Sequence, residues 1–172
     1  MIVDVYDRER TQFVAQMFPT LERVLYEISR MFPVWKRFVR FGQKLPGLTD
    51  VNTPRVPRES LAFTWDCKAL TLPIVEHGVF RDGGAWGIVL VNWNDAAAPL
   101  RPGHPLFRER SAPFSARFDP ERYGVPSDGT YGLFHYNKAT GREDEVAILG
   151  GPIAVTANVS ELSGELFVAR PR

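Results

Sequence analysis

G-A-W-G-I-V-L-V-N-W-N-D, residues 84–95, is the stretch that decides the fold. In a strand, successive side chains point to opposite faces. Read that way, Trp86, Ile88 and Leu90 share one face, and Val89, Val91 and Trp93 share the other. Both faces are apolar, so the segment is expected as a central strand covered on both sides. Just upstream lies I-V-E-H-G-V-F, residues 74–80, followed by Asp82-Gly83. An Asp-Gly step between two apolar runs is a strong hairpin signal, so 74–80 and 84–93 are expected to pair antiparallel.

Downstream, the texture stays strand-like. Residues 96–113, rich in Pro, Ala and Arg, read as a long surface loop. Residues 114–118 are a further strand candidate, and Asp119-Pro120 opens a turn that runs through Gly124. Residues 130–136 are expected to pair with 145–149 across N-K-A-T-G, and strands are also expected at 153–159 and 165–169. Six or seven short strands separated by turn signals argue for an antiparallel sandwich.

Upstream, the period changes. Phe13, Val14, Met17, Phe18, Leu21, Val24, Leu25 and Ile28 recur at steps of three and four, the spacing of one helix face. Pro19 and Pro33 divide the pattern into two or three helices. The third runs through Trp35, Phe38 and Val39 and stops near Gly42. Pro46, Gly47, Pro54 and Pro57 then mark a connector. The expected fold is therefore mainly β: an antiparallel β-sandwich at 61–172, preceded by two or three N-terminal α-helices within 1–45 and a connector at 46–60.

The 172-residue chain is long enough for one domain with a substantial core. A net charge of +1 gives no electrostatic case for a nucleic-acid partner. No run approaches the roughly 20 apolar residues of a membrane helix, so no membrane partner is expected. Asp4, Asp7, Arg8, Glu9 and Arg10 stand where a signal peptide needs an apolar run, which reads as cytoplasmic. The single cysteine, Cys67, excludes an intrachain disulfide and reads as a small buried apolar residue.

Candidate chemistry is sparse. The histidines are His77, His104 and His135, and no H-x-H pair occurs. Glu76 and His77 are neighbours on a strand and so point to opposite faces. No metal and no cofactor are expected. Glycoside hydrolysis needs two positioned carboxylates, but most of the acidic residues sit at turns, where Asp bonds its own backbone. Asp66 and Glu76 are the exceptions. No G-x-S-x-G elbow occurs, so no catalytic residue is assigned. Aromatic rings remain as candidates for stacking on a sugar. Trp86 and Trp93 read as core, whereas Trp65, beside Asp66, reads as exposed. The candidate ligand-binding residues are thus Trp65, Asp66, Glu76, His77, Tyr131 and His135.

The run V-E-H-G-V-F-R-D-G-G-A-W-G-I-V-L-V-N-W-N-D, residues 75–95, resembles the start of the β-sandwich that follows the catalytic barrel in many glycoside hydrolases. F-D-P-E-R-Y-G-V at 118–125, the T-Y-G-L-F strand after it and the terminal E-L-F-V-A-R-P resemble the same domain. R-F-V-R-F-G-Q-K-L, residues 37–45, is similar to the last barrel helix and its exit in an uncharacterised glycoside-hydrolase-like family. The resemblance implies a non-catalytic accessory sandwich that packs on a barrel or a partner chain. It offers no positions for the catalytic carboxylates, which such enzymes carry on the barrel strands. The alternative is a stand-alone module binding a carbohydrate or another small ligand. The apolar stripe at 10–40 adds an expectation of homodimer formation through those residues.

Overall fold

The computed structural model describes residues 35–57, 71–94, 109–126, 128 and 130–172. Eleven strands order them: β1 (Gln43–Leu45), β2 (Thr49–Asn52), β3 (Arg55–Pro57), β4 (Thr71–Pro73), β5 (Val75–Asp82), β6 (Ala85–Asn92), β7 (Ser111–Phe118), β8 (Tyr131–Asn137), β9 (Arg142–Ile148), β10 (Ile153–Ser160) and β11 (Ser163–Pro171). A six-stranded sheet runs β1-β5-β6-β11-β8-β9, a three-stranded sheet runs β10-β7-β2, and β3-β4 form a separate ribbon. Every paired neighbour is antiparallel.

The side-chain phase of each strand explains why the sheets face one another. On β7 the even positions Ala112, Phe114, Ala116 and Phe118 are buried, while Pro113 and Arg117 are exposed. They pack with Val155 and Val159 of β10, and with Trp86, Ile88 and Leu90 of β6, in one apolar cluster. The hydrophobic effect thus joins the two sheets through one face of each. Polar groups cross the same gap. The Trp86 indole N–H donates to the Tyr123 carbonyl at 2.8 Å. The Asn92 amide donates to the Val159 carbonyl at 2.8 Å.

The expected central hairpin is present. Val75 to Asp82 pair residue by residue with Asn92 to Ala85. The turn is Gly83-Gly84, one residue later than the Asp-Gly signal, and Gly83 takes φ +57°, which suits glycine. β6 is buried along nearly all of its length. Its second face joins Ala85 and Val89 to Leu166 and Val168 of β11 and to Phe38. Here two strand glycines find their reason. A Cβ on Gly87 would lie 2.5 Å from the Phe38 ring, and one on Gly164 would lie 2.5 Å from the Trp35 ring. Both rings therefore rest on the outer face of the large sheet at points where the strands have no side chain.

The expectation of two or three N-terminal α-helices is corrected. Among the described residues there is no α-helix. The segment expected as the third helix is a single π-helical turn, Lys36–Arg40, closed by the Gly42 N–H donating to the Phe38 carbonyl at 3.0 Å. Residues 43–45, assigned to the helical segment, form β1 against β5. Its apolar residues are drawn onto the sheet, and a five-residue turn is enough to deliver Phe38. The rest of the expected helical segment, residues 1–34, lies outside the described residues, as does most of the expected dimer surface at 10–40.

The connector at 46–60 also differs: β2 and β3 occupy 49–52 and 55–57, and residues 58–60 lie outside the described residues. Short edge strands tolerate proline, so the prolines did not prevent pairing. Residues 111–113, read as loop, belong to β7.

Candidate functional site

Glu165 stands on the inward phase of β11 with Ser163, Phe167 and Ala169, between the two sheets. A carboxylate there must be paired, because desolvation strongly disfavours an isolated charge. Two partners meet it. His135 Nε2 lies 2.9 Å from Glu165 Oε2, and Lys138 Nζ lies 2.9 Å from Oε1. Strand register accounts for the first contact: β8 pairs with β11 and sets His135 opposite Phe167, and the two rings stack at 4.7 Å. Lys138 follows β8 in the turn that leads to β9, and its ammonium also donates to Ser163 Oγ at 2.9 Å and the Gly164 carbonyl at 3.0 Å.

The electrostatics of this cluster follow from its contacts. Burial alone would raise the Glu165 pKa, but hydrogen bonds from His135 and Lys138, with their charges, outweigh it and hold the carboxyl below its ordinary value. Glu165 is therefore ionised, so His135 Nε2 carries the proton of their hydrogen bond. Lys138 Nζ donates to Ser163 Oγ, so that hydroxyl oxygen serves the network as an acceptor. The partners of Glu165 among the described residues are basic, whereas acid–base glycoside hydrolysis needs a second carboxylate. The arrangement is a compact ion network that tethers the β8–β9 turn to β11.

The other expected site residues are dispersed. Trp65 and Asp66 lie outside the described residues. Glu76 is exposed on the outer side of β5, and His77 points inward from the same strand. His77 Nε2 accepts the Leu48 backbone N–H at 3.1 Å, and its ring lies 5.9 Å from that of Phe114. Burial lowers its pKa, the Glu76 charge opposing, which keeps the accepting nitrogen free of a proton. Between β5 and β8 stand β6 and β11, so His77 and His135 are separated by three strand spacings of about 4.8 Å each. Tyr131 packs edge-on against Trp86 at 5.8 Å. Trp86 is fully buried, and the Trp93 indole N–H is held by the Pro73 carbonyl at 2.6 Å. Both tryptophans are packing residues.

Two open grooves accompany these residues. One, of about 240 Å³, lies on the outer face of the large sheet between Trp35, Val39, Lys44, Glu76 and Phe80. The other, of about 510 Å³, lies on the small sheet among Asp50, Ser115, Arg117 and the start of β10. No group of three His, Cys, Asp or Glu side chains among the described residues is placed to hold a metal ion. No described helix is long and apolar enough to cross a membrane.

Sequence reasoning found His135 but missed Glu165 and Lys138. The available signal was phase: Glu165 alternates with Phe167 and Ala169, and His135 with Leu133 and Tyr131, so each polar residue falls on the core-facing set of its strand. No protein-family model matches this chain, and no curated protein matches it.

Proposed function

We propose that this chain is a non-catalytic β-sandwich module of the kind that follows the barrel in glycoside hydrolases, serving to pack against other polypeptide. One observation carries the reading. The outer faces of the central strands β6 and β11 are apolar, and Trp35 and Phe38 already cover Gly164 and Gly87 there. A free-standing antiparallel sandwich normally turns a polar outer face to water. Here the outer face of the large sheet is used for packing, which suits a module docked on a neighbouring body.

The aromatic residues favour this over a sugar-binding platform. Trp86 and Trp93 are committed to the core and to the β4 carbonyl, and Tyr131 packs on Trp86.

Two measurements on the full chain test the reading. A panel of aryl-glycosides is expected to give no turnover above buffer; turnover abolished in Glu165→Gln or Glu76→Gln would overturn it in favour of an enzyme. Affinity electrophoresis through soluble polysaccharides is expected to show no retardation. Retardation by one of them would overturn it in favour of a carbohydrate-binding module.

A further inference from the structure

The six- and three-stranded sheets have four outer strands among the described residues, and three of them carry the features that keep natural edges from pairing. β1 is three residues long. β2 is four residues long, with an irregular register and Asp50 at φ +51°. β9 reads R-E-D-E-V-A-I, four consecutive charges beside a register shift at Leu133/Phe134. β10 has none of these. It reads I-A-V-T-A-N-V-S, without charge, proline or glycine, and it pairs with β7 over all eight residues without interruption.

The register also shows which backbone groups face outward. Pro113 is opposite Asn158 and has no N–H to give, so that position faces away from β10. At the end of the ladder the Glu161 N–H donates to the Arg110 carbonyl. Odd-numbered residues thus bond to β7. By the alternation of antiparallel pairs, Ala154, Thr156 and Asn158 direct their N–H and C=O groups to the open edge.

From this edge we infer that two copies of the chain associate through β10, antiparallel across a two-fold axis at Thr156, making one continuous six-stranded sheet from two three-stranded ones. The strand is complementary to itself in that register. Thr156 meets its own copy, and Ala154 meets Asn158, each pair exchanging two backbone hydrogen bonds. The buried phase, Val155 and Val159, stays on the core side of both copies. With no charge on the strand, no like charges oppose one another, and a Thr–Thr pair is favourable. This surface is separate from the outer face of the large sheet.

Light scattering on the full chain at tens of micromolar tests the inference. The wild type is expected at twice the 19.5 kDa chain mass. Thr156→Lys sets two ammonium groups against each other on the axis while changing only an exposed side chain, and is expected to give a folded monomer with unchanged circular dichroism. Thr156→Cys in a Cys67→Ser background is expected to form a covalent dimer on mild oxidation. A wild-type monomer at that concentration would overturn the inference, as would a dimer that Thr156→Lys leaves intact or that Thr156→Cys fails to cross-link.

Discussion

Glu165 shows how far one residue's environment depends on its partners. Its two oxygens are taken by His135 and Lys138, and its side chain is only 12% exposed. Removing one member of a buried pair leaves the other charge without its counter-ion. Glu165→Leu keeps a side chain of similar size on the strand but removes the carboxylate that His135 and Lys138 both contact. It is expected to cost about 3 kcal/mol in urea unfolding, and a loss under 1 kcal/mol would contradict the network. Trp86 makes a comparable case without charge. Trp86→Phe retains a large ring but orphans the Tyr123 carbonyl that accepts its N–H. A cost of about 2 kcal/mol is expected, and thermal unfolding should show it as a fall of roughly 4–8 °C for a chain of this size.

At the scale of elements, the glycines separate close packing from turn-making. Gly87→Ala and Gly164→Ala would drive a methyl group into the Phe38 and Trp35 rings, and at Gly164 also to 2.6 Å from the Leu90 carbonyl. Each is expected to cost about 1–3 kcal/mol by overpacking. Gly84→Ala meets nothing within 4 Å and should change stability by less than about 0.5 kcal/mol in the same unfolding series. These positions also show what was legible. The β5–β6 hairpin was readable because period and turn chemistry agree locally. The start of β7 was not, because Pro113 reads as a breaker, although it sits where no bond to β10 is needed. The apolar spacing of Trp35 and Phe38 reads as helix, but it is satisfied by one turn laid on a sheet that is distant in sequence. In the site, His135 could be singled out by residue type. Its meeting with Glu165 depends on the pairing of β8 with β11, strands about 30 residues apart, and pairing of that kind leaves no local mark.

At the scale of the whole molecule, two partly or largely buried groups among the described residues contribute to how stability responds to acid, in separate windows. His77 is held neutral by burial, with its pKa below the ordinary 6.5, and its Nε2 must stay unprotonated to accept the Leu48 N–H. The unfolded chain takes up that proton more readily than the folded one, so the unfolded state gains as pH falls. This contribution is fully present above 6.5 and is lost as pH falls through the lowered native value. Glu165 acts in the same direction lower down. Its folded pKa lies below the ordinary 4.5, so its stabilisation is present above 4.5 and is lost as pH falls through the native value. Urea midpoints measured from pH 8 downward should therefore decline in two stages, the first beginning near 6.5 and the second near 4.5. His77→Gln is expected to flatten the first stage and leave the second, because a glutamine in place of the ring has no proton to take up. Glu165→Gln is expected to do the reverse, from a lower starting stability. A midpoint that stays level between pH 7 and 5 in the wild type, or a first stage that survives His77→Gln, would show that His77 is not held neutral by the fold.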